Sequence, residues 1–252
     1  MVDATSALII LAVSAFVPPL LFLGVVRRTE RYGREPWARV LRTFSWGAVF
    51  AVIIAILLEI VLFALYQRID RVYVISGQIP NLVTIVLALV IAPVVEEFAK
   101  GVGVYFARPM IDEPEDGLVY GAASGFGFAA SENLLYGLAT LTEFGLGPSL
   151  LVIAVRSVSS ALLHASASAT FGYGIGLSRV FPNVGSPLRY YLAAVAMHST
   201  FNFLASLEAF EQPLLGENAV YYGLGGAILL AVGAFVAIRR LIRKRDKERI
   251  SW

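Results

Sequence analysis

Seven apolar stretches, at roughly 4–26, 43–66, 81–106, 118–141, 149–177, 188–209 and 219–242, divide the chain. Each reaches the ~20 residues a helix needs to cross the hydrocarbon core of a bilayer. In lipid every backbone N–H and C=O must be satisfied within the protein, which leaves helices and closed barrels as the spanning structures. These stretches are continuous apolar runs rather than ten-residue alternations, which argues against a barrel. Composition agrees: 58% of residues are hydrophobic and 15% charged, where a soluble domain carries roughly a quarter charged. The expected fold is all-α and integral to the membrane. It is a seven-helix transmembrane bundle forming a single polytopic domain over residues 1–252, multi-pass in the cell membrane.

The basic residues orient that bundle. RRTERYGREPWARVLR, between spans one and two, holds six arginines, and the tail RRLIRKRDKER holds seven basic residues. Arg108, Arg179 and Arg189 fall at the same side, making 16 basic residues against Arg68 and Arg71 on the other. The positive-inside rule then places the N-terminus outside and the C-terminus in the cytoplasm. The same rule accounts for the basic tail as a stop signal, so no nucleic-acid partner is expected. The first span is not read as a cleaved signal peptide. It is long, starts with Asp3 rather than a basic segment, and is followed by Arg27 and Arg28.

Within the apolar runs lie groups that the bilayer does not solvate. A charged side chain at mid-membrane costs about 2.5–3.5 kcal/mol on insertion scales, so such residues face a bundle interior or a wet cavity. Span three carries Glu96, Glu97 and Lys100; span four Glu132 and Asn133; span five Arg156 and His164; span six His198 and Asn202. At ~1.5 Å rise per residue, Glu97 and His164 lie about 24 and 22 Å from the outer ends of their helices, and Glu132 about 14 Å. His198 lies about 15 Å from the cytoplasmic start of its helix, so all four sites share the middle of the bilayer.

Local spacing supports their meeting. Glu96 and Glu97 stand four and three residues before Lys100, within reach on a helix face. Arg156, Ser160, His164 and Ser168 form a stripe at four-residue spacing, and His198 and Asn202 share a face. Glu59 has no polar partner one turn away and reads as a packing or interfacial residue. Gly117, Gly121 and Gly125 form a small-residue row that suits close helix approach. Pro93, one turn before Glu97, removes a helical hydrogen bond and predicts a kink.

Carboxylates, imidazoles and carboxamides gathered in a dry cavity suit hydrolysis. A glutamate, here Glu97, serves as general base, with Glu96 paired to Lys100. His198 and Asn202 stabilise an oxyanion or, in the case of the histidine, bind metal. Zinc is the alternative cofactor: His164, His198 and Glu132 make a two-histidine, one-carboxylate shell that leaves a position for water. The residues alone leave the metal-free and zinc mechanisms both open. All five aspartates lie outside the spans, which removes an aspartyl dyad, and HExxH is absent. There is no cysteine, which removes thiol nucleophiles and thiolate metal sites.

Four motifs, EEFAK (Glu96, Glu97, Lys100), FAASEN (Phe128, Glu132, Asn133), HASAS (from His164, with Arg156 upstream) and HSTFN (His198, Asn202), occur in order, one per span. Together they resemble the PrsW family of intramembrane proteases, within the CAAX prenyl endopeptidase superfamily. The prenyl proteases carry histidine where this chain has Glu132, which favours PrsW. The resemblance covers about residues 90–205, inside a catalytic core of about 81–209 formed by spans three to six. It implies site-1 type cleavage of single-span membrane proteins, anti-sigma factors among them, with Glu96, Glu97, His164 and His198 as catalytic candidates. Two other functions use similar residues: a proton-coupled transporter, and a non-catalytic membrane scaffold or chaperone of the same fold. The lipid bilayer is a partner in every case, and the oligomeric state is not encoded in these motifs.

Overall fold

Helix caps and prolines start the helices where the apolar runs begin. The computed structural model describes residues 3–73, 82–183, 186–208 and 216–248. Asn81 and Ala209, expected at the ends of spans three and six, lie outside the described residues, as do residues 211–215 of the last loop. Helix α1 (Ala4–Arg27) begins at Asp3, whose carboxylate accepts the Ser6 N–H at 3.0 Å. The α2 helix (Trp37–Ser45) runs through a π-helical turn, Trp46–Ala51, into α3 (Val52–Tyr73). After α4 (Leu82–Val86), a second π-helical turn, Leu87–Ile91, leads into α5 (Ala92–Ala107). The α6 helix (Pro114–Phe144) opens with a reciprocal capping box between Glu113 and Asp116 and with Pro114 in its first turn.

Helices α7 (Leu146–Val158) and α8 (Ser160–Val180) form one rod, bent at Ser159. Helices α9 (Pro187–Ala205) and α10 (Ala219–Glu248) follow. Four rods are long and apolar enough to cross a membrane: Ala4–Arg27, Trp37–Ile69, Leu146–Val180 and Ala219–Glu248. The three rods outside that set carry Glu96, Glu97, Lys100, Glu132, Asn133, His198 and Asn202.

The α6 helix is the axis of the molecule. It is continuously buried from Glu115 to Ala130, and α1, α2, α5, α7 and α8 all pack on it. The glycine row does what its spacing predicts. A Cβ at Gly117, Gly121 or Gly125 would strike the backbone carbonyls of Gly172, Ser168 or His164 on α8. Backbones in that contact approach far more closely than leucine-lined helices allow. The core beside it is built from Leu23, Val104, Tyr120, Phe126, Leu163 and their neighbours.

The two basic segments meet at one end. The Asp246 carboxylate of α10 accepts the backbone N–H groups of Arg31 and Tyr32 at 3.0 and 2.8 Å. The Tyr120 hydroxyl donates to Glu35, and Glu30 accepts the Glu35 N–H at 3.0 Å. A single carboxylate at the foot of α10 therefore ties the first loop to the tail.

Candidate active site

Each predicted polar helix delivers its side chains to a common point. On α5, one helical turn places the Lys100 ammonium 2.7 Å from Glu97 Oε1 and 3.4 Å from Glu96 Oε2. The ammonium also lies 2.9 Å from His164 Nδ1 and 4.4 Å from the Phe128 ring centre. Lys100, Glu97, His164 and His198 are all almost completely enclosed. An ion pair so buried is sustained only because its remaining donors and acceptors are filled.

Glu97 is fully engaged. Its Oε1 accepts from Lys100 and lies 3.0 Å from His198 Nδ1, and its Oε2 accepts the Ser168 hydroxyl at 2.8 Å. Glu96 is more open, with its side chain 10% exposed where that of Glu97 is 0%. Glu96 Oε2 lies 3.8 Å from His164 Nδ1 and 3.9 Å from His198 Nε2. The two imidazole rings stand edge to face, 4.7 Å between centres.

Beyond His164, its Nε2 lies 2.8 Å from Glu132 Oε2, which Arg156 also approaches at 2.8 Å. Arg156 Nε donates to Asn133 Oδ1 at 3.0 Å, and its Nη2 donates to Ser160 Oγ at 3.1 Å. The guanidinium stacks 3.8 Å over the Tyr136 ring. The predicted stripe on span five is thus realised across the bend at Ser159: Arg156 meets Ser160, His164 faces the ammonium, and Ser168 reaches Glu97. Glu132 and Arg156, about one-fifth exposed, mark the open side of the cluster.

The donor atoms that lie within 4.8 Å of one another are those of Glu96, His164 and His198, where the zinc shell expected from the sequence was Glu132, His164 and His198. Arg156 and Asn133 draw Glu132 to the far edge of His164, while Glu96 stands between the two rings. Asn202 does not join the cluster. Its amide donates to the Ala88 carbonyl at 2.8 Å.

That contact accompanies a finding that helix spacing alone did not reveal. Pro93 has no N–H for the Leu89 carbonyl one turn earlier. The chain widens there into the π-helical turn Leu87–Ile91, and the Ser199 hydroxyl donates to Leu89 O at 2.7 Å. The expected kink takes the form of a widened turn whose carbonyls are capped from α9. Trp46 was also missed: its indole N–H donates to the Ala99 carbonyl at 3.1 Å, holding α5 against the first π-helical turn. Pro93 is the one sequence signal that pointed to Ser199. Glu59, expected to be a packing or interfacial residue, lines a hollow of about 300 Å³ with Leu87, Ala88, Ile91 and Ala92.

Comparison with known proteins was made against this geometry. The model of the PrsW family intramembrane metalloproteases matches residues 35–238. "Protease PrsW" of Clostridioides difficile (strain 630) is 26% identical over 202 residues, covering 77% of this chain and 78% of that protein. "Protease PrsW" of Geobacillus kaustophilus (strain HTA426) is 31% identical over 155 residues, covering 60% of this chain and 63% of that protein. No solved structure matches the chain.

Proposed function

The chain belongs to the PrsW family of intramembrane metalloproteases and is a multi-pass membrane protein, and from that premise we propose that it is an endopeptidase of membrane-anchored substrates. The substrates are single-span proteins, anti-sigma factors among them, cut in or near their membrane segment. The bundle crosses the bilayer seven times, with its N-terminus outside and its basic loops and tail in the cytoplasm.

One observation carries the chemistry: two imidazoles and the Glu96 carboxylate converge, and the other nitrogen of each ring faces a second glutamate. Such outer carboxylates fix the tautomer and orientation of metal-binding histidines. The donor set suits a metal, which Glu96, His164 and His198 would hold with the Lys100 ammonium, now 2.9 Å from the same His164 Nδ1, moved aside. A bound zinc ion supplies Lewis-acid polarisation and a water that ionises near neutral pH.

The chain's own groups have distinct tasks. Glu97, filled on both oxygens, is a positioning residue that takes the His198 Nδ1–H and turns Nε2 toward Glu96. Glu132 does the same for His164 from the other side, and Arg156 and Asn133 keep it there. In the metal-free alternative Glu96, the less enclosed of the pair, is the carboxylate that would meet water and accept its proton. Lys100 offsets the negative charge and holds both α5 carboxylates in register with His164.

The test uses the whole protein in lipid nanodiscs with a library of single-span peptides, beside Glu96→Gln and Glu97→Gln. Wild type should cleave, and Glu96→Gln should lower turnover by about 10²–10⁴-fold. Metal analysis should find about one zinc per chain, with affinity weakened about 10–100-fold in Glu97→Gln. Equal cleavage by all three proteins would exclude the assignment.

A further inference from the structure

A second feature lies on the outer side of α5, away from the cluster. Phe98, Gly101, Val102, Tyr105 and Phe106 of α5 face Phe171 and Ile175 of α8 across a groove of about 350 Å³. Ser178 and Pro187 close its basic end. The walls are apolar almost throughout, and Phe98, Tyr105 and Phe106 are more than half exposed. The groove exists because residue 101 has no side chain: a Cβ there would run into the Phe171 ring that forms the floor.

Tyr105 is shared with a second hollow of about 300 Å³, whose other walls are Arg108, Pro109 and Arg179. The Arg108 guanidinium lies 5.9 Å from the Tyr105 ring centre. Among the described residues no carboxylate lies within ion-pairing distance of Arg108 or Arg179. An apolar slot therefore runs from the depth of the Glu96–Lys100 turn toward the basic end of the bundle, where Arg108 and Arg179 line the adjoining hollow.

We propose that this slot binds one anionic glycerophospholipid, its phosphate between Arg108 and Arg179 and an acyl chain laid along the α5–α8 groove. The lining favours an acyl chain: it is apolar almost throughout and offers a peptide few polar partners. Charge favours an anionic head, since basic pockets between membrane helices select such lipids. The bound lipid would brace the face of α5 opposite to Glu96 and Lys100, so this site rests on the fold and not on the protease reading.

The experiment is native mass spectrometry of the intact protein with phosphatidylglycerol or phosphatidylcholine of equal chain length. It compares wild type with the double variant Arg108→Ala/Arg179→Ala and with Arg243→Ala, an exposed control on α10. Wild type should retain one phosphatidylglycerol in preference to phosphatidylcholine. The double variant should lose about 30-fold in that retention, and the control none. Thermal unfolding of each protein checks that it is folded. Equal retention by the double variant, or of both lipids by wild type, overturns the proposal. Displacement of the lipid by inorganic phosphate also overturns it, because the groove would then contribute nothing. Peptidase activity is not the readout, so failure here leaves the active-site reading standing, and the converse holds.

Discussion

Helices α3 and α6 are both long, and both are built into the same bundle, yet they meet opposite surroundings. The α3 helix turns Leu57 and Ile60 outward at 59% and 61% exposure and touches the core through Ala55, just after the buried Ala51 of the π-helical turn. Its rod has the highest mean hydropathy of the four apolar rods, 3.1. The α6 helix is glycine, alanine and serine along much of its length, is buried from end to middle, and is absent from the apolar set. The helix that looks most like a membrane span carries little chemistry, and one outside the apolar set organises the site. The reason is the solvent each helix meets. Lipid rewards large apolar side chains, while a helix surrounded by protein gains from small residues and from polar groups that find partners.

The sharpest way to break that contrast is to remove the charge that α6 and α8 enclose. Lys100→Met leaves Glu97 and Glu96 buried without their cation and should cost about 3–5 kcal/mol. Thermal unfolding in detergent would read this as a large fall in Tm. A fall no larger than that of a lipid-facing change would mean that the carboxylates are solvated by something other than the lysine.

A packing change should come next. Gly121→Val drives side-chain atoms into the Ser168 carbonyl, and overpacking of this kind costs about 1–3 kcal/mol. Ile60→Ala on α3 should stay within about 0.5 kcal/mol, as exposed substitutions usually do. Comparable losses at both positions would erase the distinction between the two helices.

A smaller loss is expected at the π-helical turn. Ser199→Ala leaves the Leu89 carbonyl without its donor, for about 1 kcal/mol or somewhat more. Ser199→Thr should restore the hydroxyl and with it the stability. If both variants unfold like wild type, Leu89 has another partner.

A pH-dependent effect belongs to the basic end, outside both helices. Burial raises the Glu30 carboxyl from its ordinary 4.5 to about 8. The folded chain thus keeps a proton that the unfolded chain loses at lower pH. The associated stability is complete below about pH 4.5 and is lost as pH rises through about 8. Glu30→Gln should flatten that part of a Tm-against-pH curve. An unchanged slope would assign it to Asp116, which burial raises to about 7.

The comparison also shows how far the site could be read from the residues alone. Glu96, Glu97 and Lys100 declared themselves because charge inside an apolar run is expensive, and helical spacing paired them correctly. The convergence of α5, α6, α8 and α9 followed from their similar depths in the bilayer. The different surroundings of the two glutamates did not follow. Neighbouring positions on a helix point about 100° apart, and which imidazole nitrogen each meets depends on how α5 is rotated against α8 and α9. The partner of Asn202 did not follow either: one turn beyond His198, its amide donates to the Ala88 carbonyl.

By itself the sequence determined the helical membrane class, the ionisable groups inside spans three to six and the row of glycines on α6. These are properties of composition and period, and the bilayer enforces them on any chain of this kind. Only the tertiary structure decided that Glu96 rather than Glu132 stands between the two histidines, that Glu97 is sealed by Ser168 and His198, and that α9 caps the widened turn before Pro93. Those choices depend on contacts between helices distant in the chain, set by rotations and axial shifts of about an ångström that no local pattern records.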